Sequence, residues 1–431
     1  MKTAIIYGPR DVQVEEVDIP VIGPDDVLVR VKVSGICGSD VPRYLGTEYG
    51  RDYYNYPMNS GHEYCGDVVQ VGNRVKEFRE GERVTLGVSW TSGKLGAFSE
   101  YVHIPNADNR LCRLPQEITY TNGALIEPFL VAMNSYHRPN PTPDDSILIL
   151  GSGTIGLCVL LLCQARGLQD ITVSEPSARR REIAEQSGVK TVNPTDQNLE
   201  EIVMSSTQRK GVDVTFECAG EEETLNQAFA LTRNGGKISL IGHYRATPRF
   251  NIEALIVNSM SVFGPTYGHS FFDEAVKLLL EEEVDFTHLV SHRYPIEKAE
   301  EAFDEKQAME MEKKVRSGEL TLEDFLGQLQ QLKKMGPLPQ LMEMVPGMSG
   351  MMNKLPPMDE GKLKRVEAII FSMTLEERQH PQIIGGSRRR RIARGSGTQP
   401  QEVNQLLNQF SQMQKLMKQV QKGRGLLKLF G

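Results

Sequence analysis

The chain has 431 residues, a net charge of −7 at pH 7 and six cysteines. That length holds two or three domains with real cores. Cysteines 37, 65, 112, 158, 163 and 218 form no C-x-x-C pair and no disulfide framework, which excludes a small disulfide-stapled secreted scaffold and fits a reducing cytosol. Charge is unevenly spread. Residues 305–431 carry 21 Lys+Arg against 13 Asp+Glu and 12 of the 17 methionines, whereas residues 1–304 carry 28 against 43. Two modules with different partners are expected, the basic one being the nucleic-acid candidate. The opening MKTAIIYGPRDVQ has too short an apolar stretch for a signal peptide, and no run approaches the ~18 residues needed for a membrane span.

Residues 1–140 read as mostly β, with strands expected at 3–7, 12–17, 27–33 and 63–71 between Gly, Pro and Asp breaks. Two clusters stand out: Gly35-Ile36-Cys37-Gly38-Ser39-Asp40 and Gly61-His62-Glu63-Tyr64-Cys65-Gly66. Cys, His and Glu are zinc-ligand types, and a catalytic site needs three protein ligands and an open position. Spacing alone does not separate this from a structural Cys and a structural His.

Residues 146–175 organise the next domain. An apolar strand at 147–150 leads into Gly151, Gly153 and Gly156, in G-x-G-x-x-G spacing at the start of an apolar helix. A second strand at 171–174 ends on Glu175, 24 residues after Gly151. The first glycine permits a tight turn, the second lets a pyrophosphate approach the backbone, and the third lets helix pack on strand. The helix N-terminus offers unpaired N–H groups to phosphate, and Glu175 would accept hydrogen bonds from an adenosine ribose. Its carboxylate favours NAD by repelling a 2′-phosphate. Arg179–Arg181 read mainly as a solvated face rather than a 2′-phosphate grip. Cys158 and Cys163 read as core. The alternation continues with strands at 211–217 and 237–242 and helices at 222–232 and 273–281, before 289–295 returns toward the first domain.

From residue 296 the composition changes. A breaker-free stretch to 316 reads as helix, and another helix is expected from 318, with Thr321 and Asp324 as a capping pair. Seven methionines between 335 and 358, Met342, Met344, Met348, Met351 and Met352 among them, alternate with Gly and Pro, so a Met-lined loop is expected rather than one helix. Then come Ser387, four arginines from Arg388 to Arg391, the apolar pair Ile392 and Ala393, a Gly395-Ser396-Gly397 turn and an amphipathic helix at 401–420, together resembling a helix-turn-helix.

GICGSD and GHEYCG ahead of GSGTIG resemble the zinc-dependent medium-chain dehydrogenases, which include alcohol and polyol dehydrogenases, over residues 1 to about 303. The resemblance implies a GroES-like β domain at 1–140 and a Rossmann α/β domain at 141–288, with 289–303 returning to the first. It implies Cys37 and His62 as zinc ligands, Glu63 and Glu127 sharing the remaining carboxylate contact, and Ser39 relaying the alcohol proton, with Glu63 beside it in the catalytic set. NAD would take the hydride. One catalytic zinc is expected and no structural zinc, because 85–95, around Trp90, holds no cysteine. The resemblance also allows a homo-oligomer through this half.

The stretch SRRRRIARGSG and the methionine loop resemble the M domain of the signal recognition particle's signal-sequence-binding protein, over about 297–431. That implies an all-α domain at 319–431 after a helical junction at 296–318. By the same resemblance Ser387, Arg388, Arg391, Gly395, Ser396 and Gly397 would contact the particle's RNA, and the five methionines would line a groove for apolar signal peptides. That family's GTPase signature, G-x-x-x-x-G-K-[ST], is absent, and so is the strand that closes the dehydrogenase catalytic domain. The expectation is a cytoplasmic, two-module zinc- and NAD-dependent oxidoreductase of a secondary alcohol or polyol, joined to a module for signal recognition particle RNA and signal peptides. The alternative is an RNA- and signal-peptide-binding protein whose truncated dehydrogenase half is inactive.

Overall fold

The computed structural model describes residues 1–46, 56–86, 96–244, 247–265, 268–304, 321–322, 325–326 and 360–421. The chain divides into two compact units, Met1–Met309 and Glu310–Gly431. The first opens with β1 (Lys2–Gly8), β2 (Asp11–Glu16), β3 (Val27–Gly35), β4 (Met58–Asn59), β5 (Glu63–Val71), β6 (Arg83–Leu86), β7 (Tyr101–Ile104) and β8 (Leu111–Leu114). They form a three-stranded sheet, β2-β1-β4, and a five-stranded antiparallel sheet, β7-β3-β5-β6-β8. Inward-facing Val27, Val29, Tyr64, Val68, Val84 and Val102 make the core of the larger sheet, the alternation expected of strands buried on one face.

A helix at Tyr120–His137, N-capped by Thr119 accepting from the Asn122 N–H (3.1 Å), follows. It shares one core with Cys65, Cys112 and the next domain. There the strands are β9 (Ile147–Leu150), β10 (Ile171–Ser174), β11 (Lys190–Val192), β12 (Val212–Glu217), β13 (Thr232–Leu240) and β14 (Ser261–Phe263). They are parallel, in the order β11-β10-β9-β12-β13-β14. β9 is buried along its whole length, as a central parallel strand must be. The order turns back between β9 and β12, a switch point at whose carboxyl end ligands bind. Cys158 and Cys163 are core. The strand expected at 237–242 instead begins at Thr232: Gly235, at φ +70°, and a register shift after Val212 let the chain keep pairing through a bulge.

Residues 289–295 return without forming a strand. The helix expected at 296–316 opens with a 3-10 turn at Ile296–Lys298 and continues to 304; its remainder lies outside the described residues. Phe303 is buried against Tyr44 (centroids 5.2 Å) and Phe98 (5.5 Å, edge-on), among Ala4, Ile6 and Met58. The Tyr44 hydroxyl donates to Asp304 (2.6 Å). On its β7 side the β3 ladder covers Val27–Arg30, and the Val31 N–H donates to the Glu100 carbonyl (2.9 Å); among the described residues 33–35 have a ladder partner on β5 alone. A cavity of about 520 Å³, lined by Val33, Gly35, Phe98 and Phe303 among others, lies beside that open edge.

The second unit contains helices at Glu360–Phe371, Leu375–Gln379, Gly386–Ser396 and Pro400–Gln421. Ile369, Ile370, Ile384, Ile392, Val403, Leu406 and Phe410 form its core with Leu322 and Leu326. The expected Gly-Ser-Gly turn is corrected: Gly395 and Ser396 are the last helical residues, and Gly397 alone turns the chain, in the left-handed conformation at φ +65°. The Thr321–Asp324 pair cannot be paired up, Asp324 lying outside the described residues, as do Trp90 and the five groove methionines. Among the described residues no helix is long and apolar enough to cross a membrane.

Candidate metal, dinucleotide and RNA sites

The end of β3, the turn after it and the start of β5 bring Cys37, His62 and Glu63 together, with one ligand atom from each inside 4.8 Å of the others. Gly35 is glycine for a local reason: a Cβ there would lie 2.3 Å from the Glu63 carboxylate. Burial drives the Cys37 thiol well above its ordinary pKa, and Glu63, Asp40 and Glu127 push it further. Glu127, on the Tyr120–His137 helix, is not in that three-residue cluster. Burial, then Glu63 and Asp40, raise it to about 8. Acidic groups converging on a half-buried cysteine are what a divalent cation relieves, and Cys, His and carboxylate suit zinc with a position left open. These residues therefore fit the metal.

Sequence reasoning missed Asp40. Fully buried, it accepts from the Cys37 N–H (2.9 Å), from Arg43 (2.9 Å) and from the Ser60 hydroxyl (2.6 Å), so it fixes the turn that carries Cys37. Its signal was only its place in GICGSD. The Ser39 hydroxyl oxygen is buried beside this turn without a hydrogen-bond partner.

The glycine turn has the geometry its spacing requires. Gly151 has φ +93°. A Cβ on Gly156 would lie 1.9 Å from the Gly151 carbonyl oxygen, so helix and turn touch. A Cβ on Gly153 would meet nothing within 4 Å, leaving open space where a pyrophosphate would approach. Glu175 is buried, with Oε2 accepting from the Ser152 N–H (2.8 Å) and Oε1 from the Ser177 N–H (2.9 Å). It is thus tied to the glycine turn as well as standing at the end of β10. Arg181 donates to the Glu175 and Pro176 carbonyls (both 2.8 Å), and Arg179 to the Ser291 carbonyl (3.2 Å).

In the second unit Ile392 and Ala393 face the core, while Ser387, Arg391, Gly395 and Gly397 are exposed and Arg388 is half-buried. The Ser396 hydroxyl donates to the Ile392 carbonyl (2.8 Å). Arg391 pairs with Glu377, as does Arg388 (3.5 Å), and Arg391 also donates to the Ser372 carbonyl (3.1 Å). Burial raises the Glu377 carboxyl, but Arg391, the Thr374 N–H and Arg388 outweigh it, and the net shift is downward. Glu377 also closes a capping box with Thr374. Its S/T-x-x-E spacing was readable; its grip on two arginines was not.

A catalytic β domain joined to a parallel dinucleotide fold, with a Cys-His-Glu cluster, defines a metal-dependent dehydrogenase. Family models agree: residues 23–116 match the alcohol dehydrogenase GroES-like domain, 154–281 the zinc-binding dehydrogenase domain, and 301–430 the signal peptide binding domain. Human sorbitol dehydrogenase is 31% identical over 324 residues, covering 70% of this chain and 91% of that protein. The Bacillus subtilis enzyme is 29% identical over 328 residues, covering 70% and 93%. The crystal structure of 2R,3R-butanediol dehydrogenase from Bacillus subtilis is similar, with TM-score 0.64 and 27% identity over 71% of this chain and 96% of that one. The chain belongs to the zinc-dependent alcohol and polyol dehydrogenase family and carries, fused behind it, a signal peptide binding domain.

Proposed function

We propose that the first unit oxidises a polyol or secondary alcohol with NAD, using one catalytic zinc held by Cys37, His62 and Glu63, with Glu127 exchanging into the set. The observation that carries this is the convergence of three ligand types, Cys37 from the turn after β3 and the adjacent His62 and Glu63 from the start of β5. When bound, the metal acts as a Lewis acid on the substrate hydroxyl and the nicotinamide accepts the hydride. The chain's residues do the rest. Ser39, whose hydroxyl oxygen lies buried without a partner, takes the substrate proton and passes it outward. Gly151, Gly153 and Gly156 give the pyrophosphate room, and the α-helix N-terminus at Thr154 faces it. Glu175 holds the ribose and disfavours a 2′-phosphate; Arg179 and Arg181 spend donors on backbone carbonyls instead. No structural zinc is proposed. Polyols are favoured over simple alcohols because sorbitol and butanediol dehydrogenases are among the similar proteins.

The second unit, by the same reading, binds signal recognition particle RNA through Ser387, Arg388, Arg391, Gly395, Ser396 and Gly397. It binds apolar signal peptides through Met342, Met344, Met348, Met351 and Met352. Support comes from the exposed arginine helix and the signal peptide binding match. Domain limits of 1–140, 141–288 and 319–431 suit both halves, and a cytoplasmic site suits six free cysteines. A homo-oligomer through the dehydrogenase half is supported by exposed Ile252, Ile256 and Val257 on the helix leading into edge strand β14.

The test is NAD reduction by the full chain against a panel of polyols and secondary alcohols. Turnover with a polyol, faster with NAD than NADP and absent in Cys37→Ser, is expected. Faster turnover with NADP would overturn the cofactor assignment, and unchanged Cys37→Ser activity the zinc set. RNA binding should weaken in Arg388→Ala and fall steeply with salt; equal affinity for an unrelated duplex would contradict specific recognition.

A further inference from the structure

Glu217, the last residue of β12, is fully buried and reaches four donors, three on the loops after β12 and β13 and one on the Glu222–Leu231 helix. Oε1 accepts from the Ala219 N–H (2.9 Å), the Gly220 N–H (2.9 Å) and the Thr224 hydroxyl (2.8 Å). Oε2 accepts from the Tyr244 hydroxyl (2.7 Å). The Glu217 carbonyl also accepts from the N–H groups of Ile241 (2.8 Å) and Gly242 (2.9 Å). The loops after β12 and β13 are thus tied to one residue.

They are also packed without slack. A Cβ on Gly220, which has φ +71°, would lie 2.5 Å from the His243 carbonyl oxygen. One on Gly242 would lie 2.1 Å from the Gly220 nitrogen and 2.7 Å from Glu217 Oε2. One on Gly151 would lie 3.1 Å from the Ala219 Cβ. Glu217 stands opposite Leu150 in the β9–β12 ladder, across the point where the strand order turns back and a dinucleotide crosses. Contact therefore runs from Glu217 through Ala219 to the glycine turn.

We propose that Glu217 is a positioning residue for the nicotinamide dinucleotide: it holds the loops at 218–220 and 241–244 against the Gly151 turn, so that the crevice is formed before the cofactor arrives. This rests on the dinucleotide reading above. The requirement is for an acceptor that spans both loops, not for a charge. A glutamine meets it, since its amide oxygen can serve Ala219, Gly220 and Thr224 while its NH2 donates to the Tyr244 oxygen. A leucine of similar size removes the acceptor of the buried Gly220 N–H and of the half-buried Ala219 N–H, which costs binding free energy. An aspartate keeps the charge but is one methylene too short to serve both loops.

The test is NADH affinity by fluorescence titration of the full chain, with zinc content and amide exchange at Ala219 and Gly220 measured alongside. Glu217→Leu should weaken NADH binding by about tenfold or more and speed exchange at both amides, with zinc content unchanged. Glu217→Gln should stay within about threefold of wild type. Glu217→Asp, the milder variant if leucine prevents folding, should weaken binding by about tenfold. Wild-type affinity in the leucine or aspartate variant would overturn the proposal, as would a glutamine variant as impaired as leucine. If the wild type itself binds no NADH, the dinucleotide reading fails and this proposal with it; if only the variants behave like wild type, this proposal alone fails.

Discussion

Phe303→Ala probes whether the residues shared by the two family resemblances are structural parts of the dehydrogenase. Phe303 is 2% exposed and contacts two aromatic rings at 5.2 and 5.5 Å. Beneath it lies the apolar face of β1 and β4, through Ala4, Ile6 and Met58. Truncating a buried Phe costs about 3–5 kcal/mol through lost burial and the cavity left behind. Against a domain stability of roughly 5–15 kcal/mol, that is a large share. At about 2 °C per kcal/mol for a domain of this size, the dehydrogenase transition should fall by roughly 6–10 °C. Calorimetry of the full chain reads this, and the transition of the second unit should not move. A shift below about 2 °C would mean that 299–304 merely rest on the sheet and that the first unit ends before them.

Two glycine variants should separate stability from binding. Gly156→Ala forces a Cβ into the Gly151 carbonyl, so it should lower both the melting temperature and NADH affinity. Gly153→Ala meets only open space, so it should keep the melting temperature and lose affinity. Acid should destabilise the second unit through Glu377, whose folded pKa lies below its ordinary 4.5. The stabilisation it gives is complete above 4.5 and is lost as pH falls through the lower folded value. Calorimetry across acid pH should show a flatter dependence for Glu377→Gln, and an identical slope would remove Glu377 from the account. Finally, inserting a strand-forming segment after Phe303 should raise the dehydrogenase transition by pairing 33–35 of β3, which have ladder partners on β5 only among the described residues. No rise in that transition would mean the open edge costs nothing.

Much of this was legible because it depended on local pattern. The buried run 147–150, the three glycines and the alternation of 27–33 each carry their structural reason within a few residues. Cys37, His62 and Glu63 were legible as ligand types, and the structure supplies their convergence. What the sequence hid are acids whose partners come from elsewhere in the fold. Asp40 binds Ser60, Glu217 binds Tyr244, and Glu377 binds Arg391; no local spacing encodes those meetings. The start of β13 was hidden differently. Its Asn234-Gly235-Gly236 reads as a turn, yet pairing with β12 keeps it in the strand through a bulge.

Elemental analysis of the purified full chain shows whether Cys37, His62 and Glu63 form one catalytic zinc centre. One zinc per chain is predicted for the wild type and close to none for Cys37→Ser, with the melting profile of the second unit unchanged. Two zincs per chain, or an undiminished zinc content in Cys37→Ser, would contradict it.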